Sequence, residues 1–345
     1  MQMRPLSSRS ASTRSGSDPI SRLSELADYA VPFAIRTVST LGIADQLADG
    51  PMPVAELAAA TGTDASALRR LLRILVARDV LAEVAPDRFG LRPMAELLRT
   101  DHPLSMRDAF KLSSIECLCW SDLTYSLRTG ESAFEHMYGL SHQEYRNANP
   151  QEDERMDHAQ RAGTRIDVLT LVRVYDWSAV RTLVDIGAGT GAFAAGLLSR
   201  FKGMRAILLD LPQLISGAGE VLARAGVADR CEVIGGDFFA AMPAGADVYV
   251  LKSILGAWGD ADVGRILRNV RSAMRADSRL LIIEPIMGYG QDFTLGNVIH
   301  LQSLVLYGGP DRSKEQYARL FEEADLRMLR IIPRNTLPII EVGPA

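Results

Sequence analysis

Apolar residues in the N-terminal third of the chain recur every three to four positions; further on they gather into short continuous runs. Between residues 19 and 50, Leu23, Leu26, Tyr29, Ala30, Phe33, Ala34 and Val38 predict one helical face, followed by a second stretch from Leu41 to Leu47. Pro53–Gly62 reads as a short helix closed by glycine, and Asp64 as the cap of another, Ala65–Arg78, with Leu68, Leu71, Leu72, Leu75 and Val76 on a broad apolar surface. Leu81–Val84 and Arg88–Leu91 flank Pro86-Asp87 and predict a hairpin. Helix, helix, hairpin is the order of a winged-helix unit, assigned to residues 19–104. Residues 105–174 are expected to be mainly helical.

From residue 175 onward, strand-like runs alternate with helical ones. The runs are Thr182–Ile186, Ala206–Leu209, Cys231–Ile234, Val248–Leu251 and Leu280–Ile283. Between the last two, Val263, Ile266, Leu267 and Val270 mark one face of a helix over 261–274. Met328–Pro333 and Ile339–Val342 predict a terminal antiparallel pair. Alternation of this kind predicts an α/β fold, a doubly wound Rossmann-like sheet over residues 175–345.

The first run carries the chemistry. Leu183-Val-Asp-Ile-Gly-Ala-Gly-Thr-Gly-Ala192 leads from apolar residues through an acid to three alternate glycines and a helix start. Gly187, Gly189 and Gly191 let backbone approach a ligand at a helix N-terminus, which predicts a nucleotide-type cofactor. Gly187-x-Gly189-x-x-Ala192 also satisfies the dinucleotide fingerprint, and Asp210 could bind a ribose in either case. Three features separate the readings. Asp185 ahead of the glycines suits a cationic amino-acid moiety and would repel a pyrophosphate. Asp237 and Phe238 end the third run with a carboxylate for an exocyclic amine and a ring for a base face. A Tyr-x-x-x-Lys dyad is missing, since Tyr249 and Lys252 are one residue too close. Acid-glycines, Asp210 and Asp237-Phe238 on consecutive strands is the layout of an S-adenosylmethionine (SAM) site.

Residues 20–345 resemble the O-methyltransferase family that includes plant caffeate-type enzymes and bacterial polyketide-tailoring methyltransferases. The matching stretches are Leu183–Gly191, Leu208-Leu-Asp-Leu-Pro212, Gly236-Asp-Phe-Phe239, Val250-Leu-Lys-Ser-Ile-Leu255 and Ile282-Ile-Glu-Pro285. Tyr307-Gly-Gly-Pro-Asp-Arg312 and Ala133-Phe-Glu-His-Met-Tyr-Gly139 resemble further segments of the family. The resemblance implies a dimerisation role for residues 19–104, a substrate-binding role for 105–174, and a homodimer acting on a small aromatic molecule in secondary-metabolite, including antibiotic, biosynthesis. It also carries Leu211 and Lys252 into the cofactor site, the lysine near the adenine.

One family residue is missing. After the fourth run the family has a histidine base in a His-Asp-Trp-type segment, whereas this chain reads Lys252-Ser-Ile-Leu-Gly-Ala-Trp-Gly-Asp260, with Gly256 at the histidine position. The family's flanking acids survive as Glu284 and Asp311, expected to hold the acceptor or steer its proton if they do more than end a strand and a turn. His300, before the Gly308-Gly309 turn, is a candidate substitute base facing the substrate. Trp120, Tyr125, His136, His142, Met156 and Trp258 are candidate acceptor contacts, against the alternative of core or surface roles. Some bacterial anthracycline-tailoring relatives also lack the histidine, so methyl transfer by proximity to an acidic phenol is the expected activity. A SAM-fold enzyme that hydroxylates, decarboxylates or cyclises is the alternative.

Composition trims the remaining classes. Net charge is −4, giving no global electrostatic case for nucleic acid or an anionic membrane. The winged-helix order and Arg69, Arg70, Arg73 and Arg78 leave a DNA-binding regulator as a weaker alternative. Apolar runs are all too short to span a membrane. Three cysteines, Cys117, Cys119 and Cys231, and the lack of a hydrophobic signal segment fit a reduced cytoplasm. Cys117-x-Cys119 lacks companion ligands and the five histidines show no i, i+4 pairing, so no metal is expected. Residues 1–18, rich in Ser and Arg, read as a disordered tail.

Overall fold

In the computed structural model, residues 18–111, 113–286, 295–309, 312–334 and 337–345 are described. The chain divides into two units, one ending at Ala95 and the other running from Glu96 to Ala345.

In the first unit, Asp18 caps the helix Pro19–Leu26 and Gly42, at φ +66°, ends the helix Ala30–Leu41. The strand β1 (Met52–Pro53) precedes the helix Val54–Thr61, and Asp64 caps the helix Ala65–Ala77 by accepting the Ala67 N–H at 2.8 Å. β2 (Leu81–Ala85) and β3 (Arg88–Leu91) form the expected hairpin. β1 adds an antiparallel strand to β3 where the sequence predicts the start of a helix. Pro53 is extended there and Val54 N–H donates to the Asp87 carbonyl, so the short strand and the helix start are one feature. Leu68, Leu72 and Leu75 are buried. Arg69 and Arg73 reach Asp87 at 2.6 and 3.4 Å, Arg73 also reaches Glu83 at 3.0 Å, and Arg78 pairs with Glu25. Three of the four arginines that suggested DNA are thus engaged within the unit.

The second unit opens with a series of short helices and then the long helix Pro150–Val174. Its sheet comprises β4 (Thr182–Ile186), β5 (Arg205–Asp210), β6 (Cys231–Gly235), β7 (Val248–Lys252), β8 (Arg279–Ile283), β9 (Leu326–Ile332) and β10 (Ile339–Pro344). The order is β6-β5-β4-β7-β8-β10-β9, parallel from β6 to β8, with β10 antiparallel to both its neighbours. The terminal pair is present, with β10 inserted between β8 and β9.

Leu183, Leu208, Val250 and Leu281 face the helices Pro150–Val174, Ala192–Arg200 and Ala218–Arg224. Val184, Tyr249, Leu251 and Ile282 face Asp260–Ala273 and Lys314–Glu322. A parallel sheet covered on both sides demands continuous apolar runs, and that is how these strands read. β4 reverses the direction of strand succession, since β5 lies on one side of it and β7 on the other. The carboxyl end of such a switch strand is where open sheets bind ligands.

Candidate functional site

The glycine loop follows β4. Gly187, Gly189 and Gly191 have φ of +70°, +51° and +71°, backbone that side chains rarely adopt. Their surroundings differ. A Cβ on Gly187 would come 2.2 Å from Ile254 Cδ1, and one on Gly191 would come 2.6 Å from Leu208 Cδ2. Among the described residues, and beyond its chain neighbours, a Cβ on Gly189 would meet nothing within 4 Å, so the middle glycine offers an open face. Beside it, Asp210 accepts the Gly189 N–H at 2.8 Å and the Leu211 N–H at 2.7 Å, and burial raises its pKa. Each oxygen keeps a further lone pair for a hydroxyl donor.

Asp185 is the polar exception in a doubly covered strand. It is 2 % exposed, and its Oδ2 has no hydrogen-bond partner among the described residues. Burial pushes its carboxyl up to about 7, against the pull of Lys252 and the Ala194 N–H. An orphaned buried carboxylate costs free energy unless something cationic completes it. Asp237 is exposed and accepts the Phe239 N–H at 2.8 Å, which shapes the turn after β6. Asn269 holds the carbonyls of Phe238 and Phe239 at 3.0 and 2.9 Å. Trp258 lies against Phe239 with ring centroids 4.9 Å apart, and 6.1 Å from Phe238. The tryptophan expected at the acceptor therefore stands with the rings expected at the cofactor. Lys252 is at 3.1 Å from Asp167 of the long helix, and the strand order sets it on the opposite side of β4 from Asp237.

This donor set fits SAM. Asp185 offers an unpaired anion for the cationic methionine moiety, Gly189 an open backbone, Asp210 a ribose acceptor, and Asp237 with Phe238 an acid and a ring for the adenine.

Past β7 the chain turns through Ser253, a non-glycine at φ +56°, into the turn Leu255–Ala257. Glu284, at the end of β8 and 1 % exposed, accepts the Ile254 N–H at 2.6 Å and the Leu255 N–H at 2.5 Å on Oε1, and the Tyr317 hydroxyl at 3.0 Å on Oε2. Burial raises its pKa and these donors oppose the rise. This candidate catalytic carboxylate is engaged in holding the turn that carries Gly256. Arg312, 3 % exposed, binds the carbonyls of Leu255 and Trp258 and the carboxylate of Asp260, so the segment is clamped from both sides. Tyr317 and Asp167 are not among the sequence candidates, and Arg312 stands there only within the Tyr307–Arg312 motif; Asp167, a charge between Ile166 and Val168, is the one of the three with a local signal. A Cβ on Gly309 would lie 2.5 Å from the Gly256 carbonyl oxygen, so these two glycines meet backbone to backbone. Asp311 lies outside the described residues.

The acceptor candidates fall into separate places. Tyr125 and His136 stack with centroids 3.8 Å apart, and His136 Nδ1 is 2.8 Å from Asp122. With Tyr307 and Gly308 they line an open groove of about 570 Å³. His142 is buried and meets Phe134 and Tyr307 edge-on, at 4.9 and 4.8 Å. Trp120 begins a short 3-10 turn and is partly exposed, while Met156 is buried on the long helix. His300 is half-buried on the helix Leu295–Tyr307. Tyr307, quoted only within a motif, joins the groove to the His142 cluster. Among the described residues no group of His, Cys, Asp and Glu could hold a metal, and no helix is long and apolar enough to cross a membrane.

Comparison with known proteins identifies the family. Residues 120–327 match the O-methyltransferase domain and residues 24–101 the O-methyltransferase dimerisation domain. The phenazine O-methyltransferase of Lysobacter antibioticus is 38% identical over 335 residues, 96% of this chain and 98% of that protein. The crystal structure of a methyltransferase of calicheamicin biosynthesis, in its S-adenosylhomocysteine-bound form, superposes with a TM-score of 0.84 at 33% identity, covering 94% of this chain and 98% of that one. Aclacinomycin 10-hydroxylase of Streptomyces purpurascens is 32% identical over 325 residues, 92% of this chain and 87% of that protein. The chain carries a dimerisation domain ahead of its Rossmann-like domain, its cofactor is SAM, and it belongs to the SAM-dependent O-methyltransferase family of secondary-metabolite tailoring enzymes.

Proposed function

We propose that the chain methylates an acidic hydroxyl on a small aromatic acceptor by proximity and orientation, without a general base at residue 256. The observation that carries this is the space at Gly256, where, among the described residues and beyond its chain neighbours, an added Cβ would meet only Glu284 Oε2, at 3.6 Å. Glu284 is occupied by two backbone N–H groups and Tyr317. Gly256 and Gly309 meet backbone to backbone and put no side chain at this point, which suits a flat, multi-ring acceptor.

Bound SAM supplies a sulfonium methyl with its leaving group already activated. The chain's share is to bind, orient and exclude water. In this reading Asp185, Gly187, Gly189, Gly191, Asp210, Leu211, Asp237, Phe238 and Lys252 hold the cofactor. Trp120, Tyr125, His136, His142, Met156, Trp258 and His300 are the candidate acceptor contacts. General-base catalysis typically contributes about 3 to 5 kcal/mol and positioning about 7 to 11, so a phenol partly ionised near neutral pH can forgo the base. Its proton leaves to solvent before transfer. Glu284 acts by fixing the turn; His300 and Asp311 are the groups proposed to steer that proton.

The test is a series of polycyclic phenols of graded acidity, read by mass. Rates that climb with acceptor ionisation, with a gain of one methyl and release of S-adenosylhomocysteine, support the reading. Equal rates across the series would refute it. The similarity to a 10-hydroxylase favours a second reading, in which the SAM fold serves hydroxylation without methyl transfer; its product would gain no methyl. We further propose a homodimer in the cytoplasm that binds neither nucleic acid nor membrane. The dimerisation-domain match, the free cysteines and the paired arginines of the helix Ala65–Ala77 support this, together with a winged-helix reading of the first unit.

A further inference from the structure

Beneath the helix Pro150–Val174 lies a layer of buried charge. Asp167 pairs with Lys252 Nζ at 3.1 Å and stands 3.6 Å from Arg334 Nη2, and the side chains of all three are at most 17 % exposed. Lys252, at the end of β7 beside β4, also acts electrostatically on Asp185 from beyond ion-pair distance, and no cation stands within ion-pair distance of that carboxylate among the described residues. One ammonium is therefore shared unequally by two carboxylates. The nearer belongs to the long helix, the farther to the glycine-loop strand.

The arrangement matters because the cofactor's charge changes in the reaction. SAM carries a sulfonium, and S-adenosylhomocysteine a neutral thioether. An uncompensated ammonium beside Asp185 would repel the first more than the second, and burial makes such a difference large. We propose that Asp167, by neutralising Lys252, sets the potential of the cofactor pocket so that the cationic cofactor is favoured over its neutral product. Asp167 is a positioning residue in this scheme, with Lys252 as the group through which it acts. The inference rests on the reading that Asp185 and Lys252 face the cofactor.

Calorimetric titration with SAM and with S-adenosylhomocysteine tests it, on the full chain as wild type, Asp167→Asn and Lys252→Met. Asp167→Asn should raise the ratio of the two dissociation constants, SAM over product, on the order of tenfold. Lys252→Met should lower it by a comparable factor. Parallel weakening of both ligands with the ratio unmoved would reduce the pair to a strut between helix and sheet and overturn the proposal. Asp167→Asn strips two buried cations of their carboxylate and can fail to fold. Lys252→Met, uncharged and similar in length, then decides alone. A wild type that binds neither ligand would instead refute the cofactor site itself, and the inference with it.

Discussion

A side chain added at Gly256 would set its Cβ 3.6 Å from Glu284 Oε2, with no other atom within 4 Å among the described residues beyond its chain neighbours. The carboxylate that could orient a base is in place, and the base is not. Gly256→His is therefore expected to fold and to raise kcat/KM for weakly acidic phenols by about 10²-fold, the lower end of general-base catalysis. It should also introduce a rate-limiting ionisation near the histidine range and exclude the bulkiest acceptors. Steady-state kinetics against pH on a small and a large phenol check it; an unchanged pH profile would show that the imidazole is not engaged.

Tyr317 and the turn over residues 254–256 share one carboxylate. Tyr317→Phe leaves Glu284 Oε2 buried without its hydroxyl donor, a loss that typically costs about 1–3 kcal/mol. Urea unfolding should register this cost. Because the turn sits on the same carboxylate, KM for the acceptor should rise while SAM affinity holds.

The three loop glycines should behave differently. Gly189→Ala meets no atom of the other described residues within 4 Å, so it should lower stability by about 1 kcal/mol through its φ of +51° alone, yet block the approach of the cofactor. Gly191→Ala drives a methyl into Leu208 and should cost both stability and binding. Thermal melts with and without SAM separate the two. A Gly189→Ala variant that still shows the full ligand-induced shift would contradict the open-face assignment.

Asp185 ties the cofactor site to pH. Its carboxyl is raised to about 7 in the ligand-free protein, so the folded chain binds a proton that the unfolded chain has released above the ordinary carboxylate range. Its contribution to stability is present at low pH and falls as pH rises toward about 7, by at most about 1.4 kcal/mol per pH unit. Cofactor binding requires the ionised form, so SAM affinity should weaken as pH drops below about 7, with proton release on binding. Asp185→Asn should flatten the stability slope, melt higher than wild type near neutral pH, and lose SAM. Calorimetry in buffers of different ionisation heat measures the proton directly.

Local pattern reached far into this protein. The apolar runs announced β4 to β8 because a doubly covered parallel sheet leaves no polar alternation to confuse them, and Asp185 stood out as the exception in one. The glycine spacing and Asp210 were legible for the same reason, since backbone geometry dictates residue type. What stayed hidden is carried by partners distant in sequence. Glu284 meets Ile254 thirty positions away, Lys252 meets Asp167 across the sheet, and Arg312 clamps a segment more than fifty residues earlier. No periodicity encodes such pairs. Trp258 is among the candidate acceptor contacts, and its ring direction follows from Phe239, which only the fold brings near. β10 was recognised as a strand, whereas its place between β8 and β9 depends on a crossover that strand propensity does not record.

That crossover has a kinetic consequence. The apolar edge of β8 is closed by Ile339–Val342, which follow it in sequence only after the helices Leu295–Tyr307 and Lys314–Glu322 and the whole of β9. A chain that has assembled its parallel core but not yet threaded its last strand presents an unpaired hydrophobic edge, the kind that recruits strands from neighbouring chains. Recovery from denaturant should accordingly fall with protein concentration, as self-association competes with a single slow insertion for the same row of backbone groups.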